Sequence, residues 1–585
     1  MSLKSAALEN KPRIACAYRT LPEALFAADA SQAFVTMWKS EDEVHEVTFG
    51  EFRRLVIGQA AYFQAQGLCA GDTVILIMPQ GIALMASFMA AMHLGAVPAI
   101  LAYPTFKVEP AKYRFGLAGV SANLKARLIV LDEAFPDELT AHVSIGERTQ
   151  LLRYSESAAD SFQSVEGRSI DPAQAAFIQH SAGTTGLQKG VALSHAAVLN
   201  HLNLLGPALD LRENDRIYSW LPLYHDMGLV ACFMLPMVFR LPVIMQAPTD
   251  WVLQPRTMLE LISQHQCTLA WMPNFTFQFL ARRVKAQNLA DVDLSRLRAL
   301  INCSEPVRAS SMDEFLASYA QLGVRPEMLQ TSYAMAETVF AVTQSSLDGG
   351  SCPARIWIDN ERLRRQNLAV PVDEDAPAAA CYVSSGRCLP GTEVRIVSAL
   401  GEDLGEGEVG EILIRSESML NGYYNRPDLT QKALRSGWYW SGDLGFTLEE
   451  ELYVVGRKKD LIIVAGENIY PQDVEEIVSS HPAVYDGRVV ALGLYNPDQG
   501  TEEIIVVAEL RQQADLENSL PIERELKNAI AGELGVAAKA VYLKPPKWIV
   551  KSTAGKPARS TTREKLLAEH AELRRGPIEV DRPHE

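Results

Sequence analysis

Short apolar runs alternate with helix-length stretches through the first 340 or so positions. TVILIMP is followed by IALMASFMAAMHL and then by VPAILAY, a strand, helix, strand order with hardly a polar side chain. ARLIVLD, PVIMQA, TLAWMP and LRALINC read as further buried strands, and PRTMLELISQHQ and SSMDEFLASYAQLG as helices between them. Strands apolar on both faces belong to parallel sheets covered on both sides, so this alternation predicts doubly wound α/β layers. The stretch from Gly81 to Phe106 carries no formal charge and is long enough to cross a bilayer. Gly95 and Pro98 divide it, however, into a helix and a strand, which favours a buried βαβ unit.

After about residue 340 the texture changes. SSLDGGSCPARIWIDNERLRRQNLAVPVDEDAPAAA is rich in Gly, Pro and charge and reads as an insertion or exposed connector, placed at about 345–380. TEVRIVSALGEDL and GEILIRS, separated by glycine turns, predict a small distorted β region. The basic turn GRKKD then marks a boundary, beyond which EIIVVAEL and PIERELKNAIAGEL suffice for a compact unit of their own. The expected architecture is α/β: a large N-terminal domain over 1–458, with doubly wound sheets and the β region, and a small C-terminal α+β domain over 459–585. The polar stretch after Glu569 is expected to be loose.

Composition narrows the function. The 585 residues include 55 Lys plus Arg against 71 Asp plus Glu, a formal charge of −16, which argues against a general binder of nucleic acid. The eight cysteines form no CxxC pair, so neither a disulfide framework nor a zinc site is expected, and a reducing cytoplasm is the natural compartment. The opening MSLKSAALENKPR lacks the apolar core of a signal peptide.

The richest local signal is IQHSAGTTGLQKGVALSH. A strand-like segment runs into Ser181, Gly183, Thr184, Thr185, Gly186 and Lys189, where glycines let backbone N–H groups approach an anion and hydroxyls and an ammonium add donors. Phosphate suits such a loop, although Gly190 after the lysine excludes a Walker A motif. A lone GTTG is equally a solvated turn. Further candidates follow: Tyr333 and Glu337 in SYAMAE, a ring for stacking and a carboxylate for a divalent cation; Asp443 in WSGDLG; Arg457 and Lys459 in GRKKD; and Lys556 in STAGKPARS. Taken singly, an Asp or Lys after Gly is more often a turn residue.

The order SAGTTGLQKG, LPLYHDMG, SYAMAE, WSGDLG, GRKKDLIIVAGENIYPQDVE, STAGK resembles the adenylate-forming superfamily of acyl-CoA ligases, amino-acid adenylation domains and luciferases, from about residue 20 to 568. The resemblance implies an acyl-CoA synthetase-like fold with a mobile C-terminal domain. It also implies that a carboxylic acid reacts with ATP to give acyl-adenylate and pyrophosphate before the acyl group passes to a thiol. Ser181 to Lys189 would hold the β- and γ-phosphates. Ser304, Glu305 and Pro306 would lie along the adenine and Tyr333 would stack on it. Glu337, with Thr184, would bind Mg²⁺; Asp443 and Arg457 would hold the ribose; Lys459 would be the hinge. Lys556 would bridge the carboxylate and the α-phosphate. His225, in LPLYHDMG, would position substrate, a packed core histidine being the alternative, and Asp226 would be structural. Met227, Gly228, Trp271, Asn274 and Phe275 would form the acyl pocket.

Within the superfamily, LPLYHDMGLV, the wall TLAWMPNFTFQFLARR and the 49 positions from Glu337 to Gly386 are similar to the fatty acyl-AMP ligase branch. The surplus falls where that branch carries an insertion that restrains the C-terminal domain and disfavours free coenzyme A. The implied acceptor is then the phosphopantetheine thiol of an acyl carrier protein, expected on another polypeptide because LRRGPIEVDRPHE contains no Gly-Ser attachment loop. GTTGLQKG is closer to coenzyme A ligases, and an inert surface loop is the other account of the surplus. An acyl-CoA ligase, a stand-alone aryl or amino-acid adenylating enzyme and a non-catalytic nucleotide-binding homologue stay as alternatives. Lys544, Lys547, Lys551, Lys556, Arg559, Arg563 and Lys565 offer a basic face for the acidic carrier. No integral membrane association is expected.

Overall fold

The computed structural model describes residues 3–4, 17–104, 110–154, 165–180, 189–347, 350–551 and 556–573. Two largely parallel sheets form the large lobe. In one, Leu329–Ala334, Ala299–Asn302, Leu269–Met272, Ile217–Ser219, Val243–Gln246 and Ala33–Ser40 lie side by side and parallel, with antiparallel strands closing both edges. LAWM, VIMQ and ALIN are buried at all four positions each, as a sheet covered on both faces requires.

The second sheet orders Val97–Ile100, Thr73–Ile77, Leu128–Leu131 and Gln150–Arg153, all parallel. Ile82–His93 crosses between its first two strands, buried from Leu84 onward. The uncharged stretch is therefore the predicted βαβ unit, and among the described residues no helix is long and apolar enough to cross a membrane. Phe49–Ala65 shows how sharply the helices start. Thr48 accepts from the backbone N–H of Glu51, and Glu51 accepts in return from that of Thr48, satisfying two donors that the first turn would leave bare.

Beside these sheets Ala175–His180 and Gly190–Ser194 form an antiparallel pair, extended by Gly422–Tyr423. The predicted β region is an antiparallel sheet built on Thr392–Val397, Gly410–Ser416, Trp438–Leu448 and Glu451–Arg457. The segment expected to be an insertion or exposed connector is folded. Arg355–Asp359 and Ala379–Val383 pair as a ribbon around the helix Asn360–Gln366, which Asp359 caps by accepting from Glu361 and Arg362. Ile358 and Leu363 are fully buried against Val409, Phe446, Tyr453 and Tyr470. An inert surface loop would bury nothing.

From Ile462 onward the chain builds separate cores, around Val484–Asn496, Thr501–Leu510 and Ala538–Lys544 with the helices Pro471–Ser479, Ser519–Leu534 and Arg559–Glu569. The backbone crosses from one lobe to the other in the turn after Glu451–Arg457, where Asp460 N–H returns to the Arg457 carbonyl.

Candidate active site

A cleft of about 1870 Å³ lies between the lobes, lined from both sides. Its volume exceeds the roughly 300–1,000 Å³ typical of one drug-sized ligand, so it has room for a nucleotide together with a second substrate.

One wall carries the acidic candidates. Asp443 and Arg457 face each other as cross-strand partners, and the carboxylate stands 3.2 Å from the guanidinium nitrogen. Its other oxygen accepts from the Tyr333 hydroxyl at 2.7 Å. Burial, with Asp443 beside it, raises the Tyr333 hydroxyl well above the ordinary tyrosine range, so it stays a donor. Glu337 is buried and accepts from Tyr423 at 2.8 Å, while the Lys189 ammonium sits 4.7 Å over the Tyr423 ring. Just past Glu337 the chain makes a tight reversal. Val339 is fully buried at φ +70° and ψ −56°, and Phe340 N–H donates to the Thr338 carbonyl across it. That is a strained γ-turn for a β-branched residue, held by the surrounding packing at the point where Glu337 is presented.

The opposite edge joins nucleotide and acid candidates. Ser304, itself at φ +70°, and Glu305 and Pro306 line the cleft. Glu305 accepts from the Phe275 N–H at 3.0 Å and so caps the helix Asn274–Arg283 that forms the apolar wall. His225 also lines the cleft, its Nδ1 2.6 Å from an Asp226 oxygen, and Asp226 accepts from the Met227 N–H at 2.8 Å. Burial pushes the Asp226 carboxyl upward, but His225, the Met227 N–H and Lys556 together outweigh it and the net shift is downward. Asp226 is therefore a carboxylate that caps the start of the helix Met227–Met234.

Lys556 enters from the small lobe. Its ammonium donates to the Ser304 carbonyl, bringing two residues 252 positions apart into the same cleft. Burial lowers its pKa, Glu305 opposing and Arg457 reinforcing the shift. Lys459 lines the cleft as well, its pKa lowered by burial and then by Arg457.

The apolar pocket differs from the sequence reading. Asn274 and Phe275 line the cleft, but Met227, Gly228 and Trp271 do not; they are packed behind the wall. Gly228 is required there because a Cβ would come 2.3 Å from the Pro222 carbonyl oxygen, at the start of the π-type helix Met227–Met234. Asn274 is fully engaged, donating to Ser311 and accepting from Asn302 and the Arg308 N–H. The wall itself includes Trp251, Val252, Gln278 and Phe279. Trp251 stacks on Trp220 at 3.8 Å and meets Phe279 at 5.4 Å. Gln278 and Phe279 were within reach of sequence reasoning, being one helical turn beyond Asn274 and Phe275; nothing local to APTDWVLQP marked Trp251.

Ser181, Gly183, Thr184, Thr185 and Gly186 lie outside the described residues. The supposed basic face is largely committed elsewhere. Lys544 pairs with Glu569, Lys565 donates to the Trp548 carbonyl, Arg559 pairs with Glu475 and Asp460, and Lys556 points into the cleft. The lobes are also tied outside the reacting centre. Arg308 bridges Asp473 and Glu476, Arg282 pairs with Asp486, and from the insertion Arg364 donates to the Leu534 carbonyl and Arg365 to Glu467.

The family model described as AMP-binding enzyme matches residues 26–424. The chain is 28% identical to a putative acyl-CoA synthetase of Caulobacter vibrioides, over 94% of this chain and 96% of that one. It is 27% identical to a medium-chain-fatty-acid–[acyl-carrier-protein] ligase of Moorena producens, over 92% and 93%. Among solved structures, one from a study of fatty acyl-adenylate ligases of E. coli and L. pneumophila superposes with a TM-score of 0.89 at 28% identity, covering 96% of this chain and all of that chain (100%).

Proposed function

Because the chain belongs to the AMP-binding enzyme family, we propose that it condenses a carboxylic acid, a fatty acid in the leading reading, with ATP to form acyl-AMP and pyrophosphate, and then delivers the acyl group to the phosphopantetheine thiol of an acyl carrier protein. One observation carries this: the Lys556 ammonium of the small lobe reaches the Ser304 carbonyl in a cleft whose other wall is the Asp443–Arg457 pair. Residues 1–458 then act as the AMP- and acid-binding domain and 459–585 as the domain that turns about Lys459.

In the first step a carboxylate oxygen attacks the α-phosphorus, the new C–O–P linkage forms, and the bond to the bridging oxygen breaks with its electron pair leaving on pyrophosphate. Lys556 bridges the two anions as charge concentrates between them, and a cation already aimed at the developing charge lowers the barrier. Asp443 and Arg457 fix the ribose; Tyr333 stacks on the adenine and Ser304 to Pro306 border it; His225 orients the carboxylate. Ser181 to Lys189 hold the outer phosphates. Glu337 is a buried carboxylate that accepts from Tyr423, a hard oxygen ligand of the kind magnesium takes. Glu337, with Thr184, would hold that ion, which when bound offsets phosphate charge. In the second step the thiol sulfur attacks the acyl carbon, AMP departs on its phosphate oxygen and the thiol proton passes to solvent.

The carrier reading is supported by the ties between insertion and small lobe and by the Moorena relative's name. Free coenzyme A is the second reading, supported by the name of the Caulobacter relative. The described cysteines are all unpaired thiols, in keeping with a reducing cytoplasm. A pyrophosphate-release screen over acids of graded length, run alone, with coenzyme A and with a carrier protein, tests the proposal. Release with a fatty acid and thioester on the carrier are expected; release with no acid at all would overturn it.

A further inference from the structure

His180 closes the hairpin that frames the phosphate segment. It is the last residue of Ala175–His180, its cross-strand partner is Gly190, and Lys189 precedes that partner. The residue is 7% exposed and lines the cleft together with Gln179, Lys189 and Glu337. Neither ring nitrogen has a hydrogen-bond partner among the described residues, and the Oε1 of the adjoining Gln179 has none either, although its Nε2 donates to the Tyr224 carbonyl at 2.5 Å.

A neutral imidazole always carries one N–H donor and one acceptor, so a buried ring with both nitrogens bare is costly, and a phenylalanine would fill the space without that cost. The fold also makes room for the ring: a Cβ at Gly190 would come 3.3 Å from Nε2. The protein thus keeps an unpartnered ring in the cleft beside Lys189 and Glu337, the described residues assigned to the outer phosphates and their cation. We propose that His180 is a binding residue for the outer phosphates, its ring N–H donating to the β,γ-portion of ATP and to the departing pyrophosphate. The proposal rests on the adenylation reading and adds a residue and a specificity to it: His180 distinguishes ATP and pyrophosphate from AMP.

Calorimetry without any acid separates the possibilities, using ATP, inorganic pyrophosphate and AMP as probes with magnesium present. His180→Phe keeps the ring shape without the nitrogens, and His180→Gln keeps a donor and an acceptor. His180→Phe should weaken ATP and pyrophosphate by about tenfold or more, the scale of a hydrogen bond to a charged group. AMP should stay within about twofold, and His180→Gln should recover most of the loss. Unchanged ATP and pyrophosphate binding in His180→Phe, an equal loss for AMP, or a His180→Gln as weak as His180→Phe would each overturn the proposal. Should His180→Phe fail to fold, His180→Leu takes its place: a loss of pyrophosphate affinity of about tenfold with AMP unchanged supports the proposal, and unchanged pyrophosphate affinity or a loss shared equally with AMP defeats it. A parent protein that binds neither ATP nor pyrophosphate would instead defeat the adenylation reading itself.

Discussion

The two walls of the cleft are built on different terms. On the large-lobe wall the key groups are locked to one another before any ligand arrives: Asp443 holds Tyr333 and Arg457, Glu337 holds Tyr423, and strand pairing sets their spacing. On the small-lobe wall Lys556 arrives on a connection from a separate core and donates to a main-chain carbonyl. The ties that hold that lobe in place, at Arg308, Arg364 and Arg365, stand apart from the lysine. On the proposed function, binding would then rest on the large-lobe wall and the reacting cation on the small lobe. Different substitutions should break one without the other.

The largest effect is expected at Lys556. Lys556→Ala should slow pyrophosphate release by about 10²–10³-fold, the scale of losing one group that stabilises developing charge, while calorimetric ATP affinity stays close to the parent value. Equal losses in both would mean that the lysine binds rather than reacts. On the other wall Asp443→Ala should do the converse. Two donors, Tyr333 and Arg457, lose their acceptor, and nucleotide affinity should fall by about 10- to 150-fold, from roughly 1.5–3 kcal/mol for a charged hydrogen bond. An Asp443→Ala protein with unchanged AMP affinity would remove the ribose assignment.

Acidity sharpens the contrast. Burial lowers the Lys556 pKa, so its proton leaves at a lower pH than from a free lysine. Since only the ammonium is useful, kcat/KM for adenylation should fall as pH rises through that lowered value, by up to about tenfold per unit. Lys556→Arg, which stays charged, should push the alkaline limb upward. Stability runs the other way. In the window between the lowered folded pKa and the ordinary value of the unfolded chain, the unfolded state holds the extra proton, so the free protein gains stability as pH rises. Identical alkaline limbs for the parent and Lys556→Arg would assign the limb to another group.

How much of this was legible from sequence follows the same division. The parallel sheets were readable because strands covered on both faces need unbroken apolar runs, and LAWM and VIMQ have them. Asp443, Arg457 and Lys556 were singled out by motif order, and the structure brings them into one cleft. The pocket wall was half legible. Helical spacing connects Asn274 and Phe275 to Gln278 and Phe279, but Trp251 reaches the wall from a different helix, and Met227 and Trp271 turned out to face the core behind it. The seven-cation face looked continuous because sequence lists charges without their partners; Glu475, Asp460 and Glu569 come from distant segments. His180 was hidden for a similar reason: a missing hydrogen bond exists only in three dimensions.

The smallest expected effect tests whether the insertion restrains the small lobe. Arg364 is buried and donates to the Leu534 carbonyl at 2.7 Å, whereas Arg365 meets Glu467 at the surface, where an ion pair contributes little. If these contacts favour the arrangement with Lys556 in the cleft, removing them biases the lobe toward others without touching the adenylating groups. One lost hydrogen bond contributes about 0.5–1.5 kcal/mol net, a population shift of about 2- to 12-fold. Arg364→Ala combined with Arg365→Ala should therefore leave pyrophosphate release within about twofold and raise thioester formation with free coenzyme A by up to that range. Arg365→Ala alone should do almost nothing. A double variant whose coenzyme A thioester yield stays at the parent level would show that the insertion packs against the small lobe without governing which thiol gains access.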